Sequence, residues 1–132
     1  MVLIDTNIVI YLFNGDKKIA SKLNQYAPQD IGISFITLGE LVFGANHSTK
    51  KEHNLLKVFE FVDKVQLFHS TKEISKTYGN LKKEALRKGK FPGDHDLWIA
   101  SLALEEKALL VTNNEKHFKW IEQLKIENWL KE

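Results

Sequence analysis

The chain has 132 residues, of which 43% are hydrophobic and 27% charged, a size and composition that suit one globular domain, residues 1–132, with its own core. It contains no cysteine, which excludes disulfides, zinc–thiolate sites and thiol nucleophiles and fits a reducing, cytoplasmic setting. The net charge of +2 permits a nucleic-acid partner without requiring one. No apolar run approaches the roughly 20 residues that span a bilayer, and the first residues lack the basic start of a secretion signal, since Asp5 arrives too soon.

In chain order, Val2-Leu-Ile4 is an apolar, partly β-branched run that stops at Asp5-Thr6-Asn7 and is followed by apolar Ile8 to Phe13. This pattern predicts a buried strand, a polar turn and a helix. Asp16 to Tyr26 predicts a short helix with Ile19, Leu23 and Tyr26 on one face, and Ile31 to Ser34 a short strand after the Pro28/Asp30 break. Ile36 to Ser48 and Lys50 to Asp63 predict two helices, and Val65 to Phe68 a strand. Ser70 to Lys88 predicts a long amphipathic helix opened by the capping-box pattern Ser70-x-x-Glu73. Its apolar stripe is Ile74, Tyr78, Leu81 and Ala85, and its basic stripe Lys72, Lys76, Lys83 and Arg87. After Pro92-Gly93, Asp96 to Glu106 predicts a helix apolar nearly all round and therefore buried. Ala108 to Val111 predicts a strand, Asn114 to Phe118 a short helix, and Lys125 to Glu127 a last strand. Strands alternating with helices predict an α/β fold, a parallel sheet of four or five strands with helices on both faces.

Three carboxylates fall where charge is unexpected. Asp5 ends a buried strand, Glu40 shares a helical stripe with Ile36 and Phe43, and Asp96 opens the most hydrophobic helix. Each has a structural role open to it: Asp5 as a helix cap, Glu40 in the capping box Thr37-x-x-Glu40, and Asp96 in the favourable field of a helix start. All three, however, read as strand-to-helix junctions, which a doubly wound sheet gathers along one edge. Converging acids repel unless a divalent cation neutralises them, and oxygen ligands without cysteine favour Mg²⁺ or Mn²⁺. A fourth junction, Val111-Thr-Asn-Asn-Glu115, offers Asn114 or Glu115 as a further oxygen, although Thr112-x-x-Glu115 also fits a capping box.

The set Leu3-Ile-Asp-Thr-Asn7, Ile36-x-x-x-Glu40-Leu, Asp96-Leu-Trp-Ile-Ala100 and Leu110-Val-Thr-Asn-Asn114 resembles a PIN domain, more narrowly a VapC-type toxin, the ribonuclease half of a toxin–antitoxin pair. The resemblance covers Val2 to about Trp129. It implies a PIN-like three-layer α/β/α fold and a metal-dependent endoribonuclease. Asp5, Glu40 and Asp96 match the family's three principal acids. Asn114 stands where the family often has an aspartate, with Asp94 or Glu115 as substitutes for that fourth acid. Thr6, Asn7 and Thr112 match positions that orient the acids or touch the phosphate. The implied partners are an RNA substrate, a cognate antitoxin, and either a second copy in a homodimer or a toxin–antitoxin hetero-oligomer.

On this reading a cation held by Asp5 and Asp96 lowers the pKa of a water and polarises the phosphate, while Glu40 positions the water or accepts its proton. Lys83, Arg87 and Lys90 are the candidates for RNA contact, a solvated helix face being the plainer reading of that stripe. Of the five histidines, His47, His53, His69 and His117 read as surface or loop residues, with His95 set apart by its place between Asp94 and Asp96. Trp98, Trp120 and Trp129 read as core or interface groups. The apolar surplus at Tyr11, Leu12, Phe13, Val42 and Phe43 fits an antitoxin groove or a dimer face, as the resemblance implies. Rival readings are a DNA-directed nuclease, a metal-dependent phosphatase, an inactive PIN scaffold, and a nucleotide-binding module. The last lacks the glycine-rich phosphate loop such modules use.

Overall fold

Five short strands form the centre of the molecule, a computed structural model that describes residues 1–131. They are β1 (Val2–Ile4), β2 (Ile31–Ser34), β3 (Gln66–Phe68), β4 (Leu109–Val111) and β5 (Ile126–Glu127). Their order across the sheet is β3-β2-β1-β4-β5, and every neighbouring pair is parallel. Parallel sheets need cover on both faces, and the inner strands are accordingly apolar except for Ser34 at the end of β2. Along β1, Val2 and Ile4 point into one apolar cluster with Ile8, Ile19, Leu41 and Val58, while Leu3 points into the other with Ile74, Ile99, Leu110 and Phe118.

The helices divide between the same two clusters. α1 (Thr6–Phe13), α2 (Lys17–Leu23), α3 (Phe35–Asn46) and α4 (Lys51–Val62) cover one face, and α5 (Lys72–Lys88), α6 (Asp94–Glu105) and α7 (Glu115–Phe118) the other. The result is the expected three-layer α/β/α arrangement, with the fifth strand present. No helix among the described residues is long and apolar enough to cross a membrane.

Because the chain builds outward from β1 to β3 and then returns to place β4 on the other side of β1, the sheet reverses direction between β1 and β4. The carboxyl ends flanking such a reversal form a crevice. Asp5 and Thr112, which directly follow β1 and β4, stand there. The Asp5 backbone N–H donates to Val111 O at 2.9 Å, which holds the two strand ends together.

Several local expectations change. Thr71, not Ser70, caps α5, its hydroxyl accepting the Ile74 N–H at 3.1 Å; Glu73 pairs with Lys76 instead of closing a box. Gly89, left-handed at φ 66°, ends that helix, with the Lys90 N–H donating back to Ala85 O. α6 begins at Asp94, two residues early, and follows another helix rather than a strand. Its amino end still reaches the crevice, because α6 runs down the sheet before β4 runs up it. α2 stops at Leu23, and Tyr26 beyond it stacks on buried Trp129. Gly32 sits in β2 where a Cβ would lie 2.6 Å from the Phe68 ring of the neighbouring strand.

Candidate active site

Asp5 is the most constrained acid of the molecule, with 3% of its surface exposed. Its Oδ1 accepts the Thr6 N–H at 2.8 Å and so caps α1. Its Oδ2 accepts from Thr112 Oγ1 at 2.7 Å and from Asn7 Nδ2 at 3.2 Å. Helix cap and crevice acid are therefore one arrangement. Burial raises the Asp5 pKa above the usual carboxylate range. The Thr112 and Thr6 hydrogen bonds oppose that rise, and the negative charges of Asp96 and Glu40 add to it.

Asp96 stands in the first turn of α6, partly buried, with Oδ2 2.5 Å from His117 Nδ1 of α7. Burial pushes its pKa up, the His117 hydrogen bond and charge pull it down, and Glu40 adds a smaller upward push. Glu40 lies in α3. Its Oε1 accepts from Thr6 Oγ1 at 2.7 Å, and its Oε2 is 3.5 Å from His95 Nδ1. Behind it a file of hydroxyls runs into the core: Thr6 Oγ1 lies 3.1 Å from Thr37 Oγ1, which lies 3.3 Å from Ser34 Oγ. Each hydroxyl has one proton, so with Thr6 donating to Glu40, Thr37 donates to Thr6 and Ser34 to Thr37. Ser34 also caps α3 by accepting the Thr37 N–H at 3.0 Å. The Thr37-x-x-Glu40 capping box therefore does not form, and Glu40 is turned to the crevice.

The structure thus brings Asp5, Glu40 and Asp96 within electrostatic reach of one another, with Thr6, Asn7 and Thr112 as the groups that fix them. Asn7 also accepts the Asn113 N–H at 2.9 Å through Oδ1, tying α1 to the loop after β4. The remaining predicted residues are held otherwise. Asp94 pairs with the Tyr78 hydroxyl and, at 2.9 Å, with Lys82 Nζ; these contacts lower its pKa. Glu115 is 2.5 Å from Lys131 and accepts from Asn128 at 3.4 Å, so the Thr112-x-x-Glu115 box is not made either. The Asn114 N–H donates to Thr112 Oγ1 at 3.0 Å, and its side chain has no hydrogen-bond partner among the described residues. Arg87 is paired with Glu84 at 2.6 Å, whereas Lys83 and Lys90 have no ion-pair partner among the described residues.

His117, expected only as a surface or loop residue, instead contacts Asp96; Thr37, expected only in a capping box, and Ser34, which the sequence does not mark, belong to the hydroxyl file behind Glu40. The available signal for His117 was its place in the helix that follows β4, on the same sheet edge as the acids. Trp98 stacks on Tyr78 and Trp120 packs on the second cluster. Of the apolar surplus, Leu12, Phe13 and Val42 pack against the first cluster, while Tyr11 and Phe43 remain exposed. Phe43, Ile10, Phe35 and Ile36 line a wide groove of about 740 Å³ that also contains Glu40 and His95.

Among the described residues no three histidine, aspartate or glutamate side chains stand close enough to cage a metal ion unaided. Two carboxylates, Asp5 and Asp96, whose charges oppose each other, do fit a hard cation of the Mg²⁺ type. Such an ion takes one or two carboxylates and completes its shell with water and phosphate oxygens.

Comparison with known proteins places these observations. A family model described as the PIN domain matches residues 2–122. Ribonuclease VapC2 of Rickettsia felis is 38% identical over 96% of this chain and 96% of its own length. Ribonuclease VapC1 of Haemophilus influenzae strain R2866 is 36% identical over 98% of each chain. The crystal structure of VapBC2 from Rickettsia felis, bound to a DNA fragment from the promoter, superposes with a TM-score of 0.91 at 39% identity, covering 98% of this chain and 99% of that one.

Proposed function

The chain belongs to the PIN-domain family, and on that premise we propose that it is the toxin of a type II toxin–antitoxin pair, a cytoplasmic endoribonuclease that hydrolyses RNA phosphodiester bonds with Mg²⁺ or Mn²⁺, the whole chain acting as one nuclease domain. The observation that carries the reading is the convergence of Asp5, Glu40 and Asp96 from three separate elements on the crevice beside β1. Burial raises the Asp5 pKa, and the charges of Asp96 and Glu40 add to that rise. The full-length likeness to chains named ribonuclease VapC supports it.

Asp5 and Asp96 would hold the cation, which supplies charge neutralisation at the phosphate and a more acidic water. Thr112, Asn7 and the Thr6 N–H fix the Asp5 carboxylate, and the Thr112 and Thr6 hydrogen bonds offset part of what burial costs its charge. His117 orients Asp96. Glu40 is held at Oε1 by Thr6, and its Oε2, 3.5 Å from His95 Nδ1, would accept the proton of the attacking water. Exposed Lys83, Lys90 and Arg87 attract the RNA backbone, and the apolar groove beside Glu40 receives the antitoxin or a second toxin copy.

The test is incubation of the purified protein with total cellular RNA, with and without Mg²⁺, followed by mapping of the cut ends. Discrete new ends that require the cation are expected. An RNA population identical to the buffer control in the presence of Mg²⁺ would contradict the reading.

A further inference from the structure

Bordered by His117, which contacts Asp96, lies a second cavity of about 300 Å³ formed by the loop after β4, α7 and the residues after β5. The residues that line it are all polar or charged in type: Asn114, Lys116, His117, Lys119, Asn128 and Lys131, with Glu115 and Asn113. We propose that this cavity is a subsite for one nucleotide of a single-stranded RNA, next to the phosphate being cleaved. The inference rests on the ribonuclease reading and adds where the strand runs.

The position follows from His117, which forms one wall of the cavity and contacts Asp96 through Nδ1. A strand with a phosphate at the acids therefore meets this opening next. The charge also favours it. Three lysines face one glutamate, and that glutamate is satisfied by Lys131 at 2.5 Å. Lys116 and Lys119 have no ion pair within contact distance among the described residues, whereas Lys76 and Arg87 on α5 are each paired with a glutamate of their own helix. A net positive lining excludes a second cation site and suits a phosphate, for which an ammonium is a good point donor. The Asn114 carboxamide, unpartnered and able both to donate and to accept, matches a base edge.

The walls are fixed before any ligand arrives. The Asn113 N–H is held by Asn7 Oδ1 at 2.9 Å, and Asn113 Oδ1 accepts from Asn128 Nδ2 at 3.1 Å. Asn128 Oδ1 in turn accepts the Leu130 N–H at 3.0 Å. Such preorganisation lowers the ordering cost of binding.

The experiment is fluorescence anisotropy of a labelled, mixed-sequence single-stranded oligoribonucleotide, titrated with full-length protein in EDTA so that no cleavage occurs, over a range of KCl concentrations. The variants are Lys116→Ala/Lys119→Ala and, as a control of equal charge change on α2, Lys17→Ala/Lys22→Ala. Losing two phosphate contacts to a single strand lowers the slope of log K against log salt by about 1.4 and affinity by roughly tenfold at moderate salt. The control pair is expected to change affinity less than twofold. Asn114→Ala is expected to weaken binding without changing the slope, because an amide carries no charge. Equal losses in the two lysine pairs, or none in either while the wild type binds, would overturn the subsite and leave the ribonuclease reading standing. A wild type that neither binds nor cuts RNA would overturn both.

Discussion

Thr112→Val removes one hydroxyl from a fully buried side chain and hardly changes its volume. That hydroxyl donates to Asp5 Oδ2 at 2.7 Å and accepts the Asn114 N–H at 3.0 Å. A hydrogen bond to a charged group contributes about 1.5–3 kcal/mol, and a stranded backbone N–H costs about 1–3 kcal/mol. Asn114 is exposed, so water relieves part of the second loss, and a total of about 3 kcal/mol is expected at neutral pH. With a urea slope of about 2 kcal/mol per molar, the unfolding midpoint falls by about 1.5 M. The pH dependence identifies the cause. The Thr112 bond favours ionised Asp5, so its contribution is present above the native Asp5 pKa and is lost as pH falls through it. The Asn114 share does not titrate. Wild-type Asp5 has the opposite net sign: burial raises its native pKa, so its contribution to stability is full below the unfolded value and is lost as pH rises through the native one. The assay is urea unfolding of wild type and Thr112→Val in EDTA, at neutral pH and near pH 4, repeated in an Asp5→Asn background. A gap between the two proteins that narrows in acid and in the Asn background is expected. A gap identical in all conditions would refute the claim that Thr112 acts on the Asp5 charge.

Thr6→Val frees Glu40 Oε1 and should slow cleavage about 10²-fold through misplacement, whereas Thr6→Ser keeps most of the rate; single-turnover kinetics decide, and equal rates would remove Thr6 from the site. His117→Ala should weaken divalent-cation binding by about 10–100-fold in calorimetry. His117→Asn, whose amide N–H takes the place of Nδ1, should recover much of it, and unchanged affinity in the alanine variant would separate His117 from Asp96 function. Gly32→Ala forces a Cβ to within 2.6 Å of the Phe68 ring and should cost about 1–3 kcal/mol in urea unfolding, partly regained with Phe68→Leu; an unchanged midpoint would mean that the ring yields freely.

Elements with strong period and apolar content were legible in the sequence. All five strands lie within the short runs that predict them, and the layer assignment follows from their alternation with helices. Asp5, Glu40 and Asp96 stood out because charge interrupts apolar patterns at each. What misled was local capping chemistry. Glu40, Glu73 and Glu115 each complete a capping-box pattern, and each has another partner in the fold: Thr6 from α1, Lys76 one turn on, and Lys131 beyond β5. Two of those partners are distant in sequence, which a local pattern cannot register. The same limit hid His117, whose meaning depends on α7 meeting α6, and the hydroxyl file from Ser34 to Glu40, which joins β2, α3 and α1. Asp96 was assigned to the right edge through a strand-to-helix junction that does not exist. It arrives there because α6 runs antiparallel to the strands.

The central claim is that three carboxylates from three elements form one divalent-cation-dependent phosphodiesterase centre. Single-turnover cleavage of a defined RNA by wild type and Asp96→Asn, in saturating Mg²⁺ and with matched circular dichroism spectra, tests it most directly. The account predicts a rate loss of about 10³-fold or more, since the variant loses a carboxylate that would hold the cation. An Asp96→Asn protein that cleaves at the wild-type rate would contradict it.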